Sequence, residues 1–461
     1  MRTPTLLLAL ACIAFSQPNE KLNELFKQYS EDRYREAPEL ATLRGRSEYN
    51  DRWTDWSRAA VELRAKSRQD YLARLRPYLS GTVSEQDKLS VRLLQYLLER
   101  ETATGPLDVY LLRVGQLFGV HNVVFRTVDA MPRNTVRDYE NIITRLAAVP
   151  AYVDQNIAIF NDAISRGLVQ PAVVVDRVLA QLRAQVAQDA RSTDLLAAFQ
   201  KWPSGISDTD RQRLSALATK TYNEAFLPAW RKFTDYFEKT YAPKVRTNIA
   251  LTSLAGGKAL YAAQVRSLTT TALTPEQIHE LGKKEVQRLE GEMLGVARQS
   301  GFSGSLHDYE TKLANSPDQH FRSKEEMLVY CRNVAKMIEP ELPRLFKHIP
   351  RLLYGIRPIP ATNEAATASN AQTPAPDWSR PGWFNLNTFE PEKQVKYDKQ
   401  ALVLHEAVPG HIFQGTIALE MGELPEFRKG IILSAYNEGW GLYAESLGSE
   451  LGVYTDPPSR F

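Results

Sequence analysis

Two histidines lie six residues apart in residues 401–414, ALVLHEAVPGHIFQ, with a glutamate directly after the first. The chain has only seven histidines, so His405, Glu406 and His411 form a notable set. Neutral imidazoles are good zinc ligands, and a carboxylate beside them that does not bind the metal can take a proton from metal-activated water. These residue types in this order read as the site of a zinc hydrolase, with Glu406 as base.

The spacing carries a geometric demand. Histidines four apart share one face of a helix, whereas histidines six apart are roughly 240° apart on an ideal one and cannot meet a single ion. The helix therefore has to be disturbed between them. Pro409 lacks an N–H and its ring clashes with the carbonyl of His405, while Gly410 tolerates unusual dihedrals. A bulge at Pro409-Gly410 is the expected way to return His411 towards His405.

A third protein ligand is sought downstream, and Glu438 in SAYNEGWGLYAESLG is the candidate. Residues 431–447 read as a helix, with Ile432, Ala435, Leu442 and Leu447 as expected packing positions. Ser434, Ala435 and Gly441 are small neighbours of Glu438 that would let this helix come close to the metal helix. Glu445, seven residues on, faces the same way and is a candidate to support a ligand from behind. A solvated helix glutamate is the competing reading for both Glu438 and Glu445.

HEAVPGHIFQ followed by NEGWGLYAESLG resembles the bacterial family called domain of unknown function 885. The resemblance extends upstream to SLTTTALTPEQIHELGKKEVQRLEGEM and SRPGWFNLNTFEP, covering at least residues 256–461. By its motif that family is similar to the gluzincin metallopeptidases, which are large helical enzymes. The resemblance implies one zinc per chain, His405, His411 and Glu438 as its ligands, Glu406 as general base and a zincin-like fold. It supplies no substrate. It also implies a further C-terminal segment, since members of the family continue past the position of Phe461.

Several elements must position these residues. Thr274 and Gln277 form a capping box with Pro275 at the first helical position, predicting a helix that runs to near Ser300. Residues 361–379, rich in Ala, Thr, Asn and Pro, read as a surface loop or mobile lid. Residues 380–388 are the best strand candidate of this half, and a strand beside a zinc helix is suited to hold an extended peptide. Asn385 and Asn387, alternate residues on one face, are candidates to contact substrate, and a short structural strand is the competing reading. Asp398 is expected to cap the metal helix, starting it near Lys399. Tyr397, Tyr436 and Tyr443 are candidates for oxyanion donors or substrate contacts, and Tyr454 and Arg460 for substrate contacts.

Upstream, residues 17–255 are helical almost throughout, with starts at Ser84, Thr135, Pro171 and Ser207 and an interruption at Pro228. Aromatic residues at helical spacing in FLPAWRKFTDYFEKTY read as core. The architecture is mainly α, with a short strand element next to the metal helix, and divides at about residue 256 into a helical region and a metal-binding region. Residues 1–16 read as a secretory signal with a cleavage site at Ala14-Phe15-Ser16. The alternative is a cut before Cys12 and lipidation of that cysteine.

The composition, 43% hydrophobic and 24% charged with a net charge of +3, fits a globular chain and argues against nucleic acid as partner. No later run is apolar enough for a transmembrane helix. With two cysteines, one of them in or at the edge of the leader, no intramolecular disulfide is expected. Cys331 reads as a small buried hydrophobe. The function expected is an exported zinc metallopeptidase, periplasmic or extracellular, acting on a peptide. Two alternatives stay open: a zinc hydrolase of a non-peptide amide or ester, which substrate profiling separates, and a metal-free secreted helical binding protein, which metal analysis separates.

Overall fold

Ser84, Thr135, Ser207 and Thr274 each accept a hydrogen bond from the amide three residues on, and a helix follows each: Glu85–Thr104, Val136–Ala147, Asp208–Thr221 and Pro275–Gln299. These side chains satisfy amides that a helix N-terminus leaves without partners. The computed structural model describes residues 19–461 apart from 82, 105–108, 361–363, 365–366, 376–377 and 379. The expected leader, residues 1–16, and Cys12 fall outside the described residues.

Helices dominate, and the protein is mainly α. The helix opened by Ser207 does not stop at Pro228. A π turn at Tyr222–Phe226 leads straight into Leu227–Tyr236, and a second at Phe237–Tyr241 follows. The wider turn makes room for the proline ring. Along this rod Tyr222, Phe226, Trp230, Phe233, Phe237 and Tyr241 are all buried. Successive rings lie 5.0–5.6 Å apart, and they form the spine of the larger apolar core, between Trp53 and Leu254.

A smaller core joins the helices Glu20–Glu36, Arg58–Leu79 and Glu85–Thr104. A third lies between Phe321 and Val453 and underlies the histidine stretch. Cys331 sits within it, fully buried, and burial pushes its thiol up to about 12. That value suits a packing role and not a nucleophile.

The sheet has three strands: β1 (Tyr354–Pro358), β2 (Asn370–Gln372) and β3 (Gly382–Leu386), in the order β1-β3-β2. β1 runs parallel to β3 with Ile356 opposite Phe384, and β2 runs antiparallel with Ala371 opposite Phe384. Two expectations change here. The stretch 361–379 is not simply a loop or lid, because it contributes β2 and a buried Glu364 that bonds Lys324 and Thr388. The expected substrate strand 380–388 is the middle strand, paired on both sides, so its backbone has no free edge. Among the described residues, no helix is long and apolar enough to cross a membrane.

Candidate metal centre

His405 closes the helix Tyr397–Glu406, and His411 opens the helix His411–Glu420. The expected bulge within one helix is therefore a complete break at residues 407–410. The reason is steric: a Cβ added at Gly410 would stand 1.8 Å from the carbonyl oxygen of His405. Only glycine lets the second ligand helix begin directly over the end of the first. The first helix also starts earlier than expected, at Tyr397, without a side-chain cap. Asp398, expected as that cap, pairs instead with Lys399 at 2.8 Å.

The third ligand helix, Ser434–Ser446, packs across this break. A Cβ at Gly441 would lie 2.5–2.8 Å from three ring atoms of His405, so the missing side chain is what admits the imidazole. Trp440 donates from its indole nitrogen to the Pro409 carbonyl at 2.8 Å, tying the helix to the break. Sequence reasoning passed over Trp440. Its signal was a large residue between two glycines, Gly439 and Gly441, in the stretch that carries Glu438.

His405 Nε2 lies 3.5 Å from Glu438 Oε2, and His411 Nε2 lies 3.6 Å from the same oxygen. The three ligand atoms are all within 4.8 Å of one another. Bonds of 2.0–2.2 Å to a tetrahedral zinc place ligand atoms roughly 3.4 Å apart. The donor set thus fits the ion in type, and the two distances to Glu438 fit it in spacing. The imidazole rings stand nearly perpendicular, at 88°, so their nitrogens converge without stacking.

His405 Nδ1 lies 2.7 Å from Glu445 Oε1. A carboxylate only accepts, so Nδ1 carries the proton, and Nε2 is the ring nitrogen turned towards Glu438. This bond holds the imidazole above its ordinary pKa, with the Glu406 charge also contributing. His411 is shifted the other way, by burial and then by the neighbouring His405 charge. Glu445 therefore fixes the orientation of the His405 ring from behind. The Tyr454 hydroxyl supports it in turn, donating to the Glu445 carbonyl at 2.9 Å.

Glu406 is buried, at 8% exposure. Burial pushes its carboxyl up to about 7, Glu438 adds to the shift, and His405 and the Ala371 backbone oppose it. β2 thus stands directly beside the candidate base. Glu438 itself is 64% exposed, so the space between the three donors opens to solvent on the side of the third helix.

The remaining candidates lie elsewhere. Asn385 is bonded to Arg357 and Asn370. Asn387 donates to the carbonyls of Glu364 and Thr367. Both hold the sheet and its connections together, in keeping with the reading of a short structural strand. Tyr397 packs with Ala297, Tyr309 and Leu313 in a small separate cluster, two turns before His405. Arg460 donates to the Tyr454 carbonyl at 3.2 Å, so it braces the C-terminal turn. Tyr436 and Tyr443 are exposed on the third ligand helix, and Tyr443 rests against Trp440. Ile432, Ala435 and Leu442, expected as packing positions, are exposed as well. The face of this helix is chosen by Gly441 and Ala444, the residues small enough to meet the histidine helices.

The fold is a large helical one with a break-linked pair of histidine helices and a third helix that brings a carboxylate to them. Residues 38–461 match the family described as bacterial protein of unknown function (DUF885), and the chain belongs to that family. Two solved structures share the fold. One, described as a "putative lipoprotein" from Colwellia psychrerythraea, is 20% identical with a TM-score of 0.85, over 95% of this chain and 80% of that one. The other, a "putative lipoprotein of unknown function" from Shewanella oneidensis, is 16% identical with a TM-score of 0.65, over 95% and 79%. No curated protein matches the chain.

Proposed function

We propose that this protein is an exported zinc metallopeptidase of the gluzincin type, in which His405, His411 and Glu438 hold one zinc and Glu406 is the general base. The observation that carries the reading is the convergence of two imidazoles and one carboxylate at 3.5 and 3.6 Å with a buried glutamate next to them. When bound, zinc would acidify a water and polarise the carbonyl of the scissile bond. Two neutral imidazoles and a single carboxylate leave the ion a net positive charge of about one, which favours that chemistry.

Glu406 accepts the proton of the attacking water and returns it to the leaving amine. A carboxyl at about 7 without metal is drawn down by a cation beside it, so it is ionised and ready to accept at neutral pH. Glu445 keeps His405 in the tautomer whose Nε2 binds. Among the described residues β2 pairs only with β3, which leaves its other edge without a strand, and the Ala371 backbone lies beside Glu406. An extended peptide laid along that edge by backbone pairing would bring a peptide bond to the base. This favours a peptide over a small ester or amide.

An export leader within residues 1–16, and the description of both structural relatives as a "putative lipoprotein", support a place outside the cytoplasm; a cut before Cys12, in place of one at Ala14-Phe15-Ser16, would leave the Cys12 thiol to carry a lipid anchor. Purified protein should carry about one zinc per chain and cleave members of a peptide library. Glu406→Gln should keep the zinc and lose the cleavage, because an amide cannot take the proton. Full cleavage by that variant would assign the base elsewhere, and a zinc-supplied protein without transition metal would end the reading.

A further inference from the structure

Residues 421–433 carry the chain from the second ligand helix to the third, and they reach away from the metal into the N-terminal helices. Glu426–Gly430 forms a short 3-10 turn against the helix Glu20–Glu36. Three consecutive side chains hold it there. Glu426 accepts from the Tyr34 hydroxyl at 3.0 Å. Phe427 enters the small N-terminal core, with its ring 5.2 Å from that of Phe26 and 6.0 Å edge-on to Tyr29. Arg428 donates to the buried Ser90 hydroxyl at 3.1 Å.

A second link runs through the helix Gly257–Thr269, which lies against both Glu85–Thr104 and the third ligand helix. The Tyr96 hydroxyl fastens it by reaching the carbonyls of Arg266 and Ser267. The N-terminal layer therefore touches the third ligand helix at its approach and along its flank.

The three ligands are not supported alike. His405 and His411 stand on helices that bury Val403, Leu404, Ile412 and Phe413 in the core beneath them. Within the third ligand helix only Gly441 and Ala444 are buried. Trp440 and Glu445 hold its second half to the break and to His405, whereas its first turn carries no buried side chain and takes its position from the connector that leads into it. Phe427 is the largest apolar side chain of that connector.

We infer that Phe427 is a positioning residue for Glu438: by docking the connector into the N-terminal helices it sets where the third ligand helix begins, and hence how well Glu438 meets the two histidines. The inference rests on the metal reading above. Its consequence is that the N-terminal helices take part in metal binding without supplying a ligand.

The test compares the parent with Phe427→Ala, the milder Phe427→Leu, Glu438→Ala and the double variant Phe427→Ala/Glu438→Ala. Zinc affinity is read by competition with a chromophoric chelator, and amide hydrogen exchange is read in residues 434–446 and 397–406 without metal. Phe427→Ala should weaken zinc roughly tenfold, the size usual for residues that orient a ligand, and Phe427→Leu should restore most of it. In the Glu438→Ala background Phe427→Ala should have no further effect, because the two act through one ligand. Exchange should rise in 434–446 and stay at the parent's level in 397–406.

An equal loss of zinc affinity in both backgrounds, or an equal rise of exchange in both helices, would make Phe427 a general stabiliser and overturn the inference, as would no change at all. A parent that binds no zinc would remove the metal reading alone. The exchange comparison would then decide on Phe427 by itself.

Discussion

The helix Pro275–Gln299 and the three ligand helices are built on opposite principles. The first has 25 residues, a complete capping box, proline in its first turn, and a single buried residue, Ala297. The ligand helices have 10, 10 and 13 residues, none has a side-chain cap, and they meet through glycines at contacts where no Cβ would fit. One is written in local signals and touches little. The others are fixed by tertiary contact, which is how a site can hold three donors near tetrahedral spacing when isolated helices of that length are marginal. Geometry for chemistry is held where helices press together, and helical propensity alone does not provide it.

Glycine substitutions break this comparison most directly. Gly410→Ala drives a Cβ into the carbonyl of His405, so the second helix must shift, and zinc affinity should fall by more than about a hundredfold. Stability should fall too, by about 1–3 kcal/mol, the usual cost of forcing extra atoms into a packed site. Chelator competition and urea unfolding measure the two effects. Zinc binding at the parent's level in Gly410→Ala would show that His411 is not a ligand held by the break.

Next in size is Glu406→Gln in metal-free protein. The Glu406 carboxyl is raised to about 7 in the fold, above its ordinary value near 4.3, so burial favours folding while the group is protonated in both states. That advantage is lost as pH rises from about 4.3 through 7, at roughly 1.4 kcal/mol for each pH step of one, which is roughly 4 kcal/mol above neutrality. In the presence of a chelator Glu406→Gln should therefore be more stable than the parent at pH 8, by up to roughly 4 kcal/mol, and no more stable near pH 4.5. Urea unfolding at the two pH values reads this. Equal stability at pH 8 would show that the carboxyl is not desolvated.

Glu445→Ala removes the acceptor from His405 Nδ1, frees the tautomer, and should weaken zinc roughly tenfold to a hundredfold. The smallest effect has the opposite sign. Gly282, in the exposed helix, has nothing within 4 Å of an added Cβ, so Gly282→Ala should raise stability by about 0.5–1 kcal/mol through helix propensity alone. A loss there would mean that the exposed helix packs against more than is visible.

What was legible in the sequence follows the same division. Caps at Ser84, Thr135, Ser207 and Thr274 are local hydrogen-bond chemistry, and the helices they start were readable. The histidine spacing together with Pro409-Gly410 announced that the chain breaks between the ligands, though not that it breaks into two helices. The strand that carries Asn385 and Asn387 was legible, but alternation marks a strand without telling whether it lies at an edge or in the middle, and β2 lay hidden in a stretch whose composition reads as loop. Ile432 and Leu442 misled because apolar spacing names a face, whereas here the small residues Gly441 and Ala444 choose it. Trp440 was missed because its bond to the Pro409 carbonyl spans 31 residues.

The central claim is that one zinc binds between His405, His411 and Glu438. Anomalous scattering at the zinc edge from crystals of the zinc-loaded protein tests it most directly. The account predicts a single strong site per chain, about 2.0–2.2 Å from both Nε2 atoms and from a Glu438 carboxylate oxygen, with Glu445 on His405 and off the metal. No site, or one whose ligands exclude either histidine or exchange Glu438 for Glu445, would contradict it.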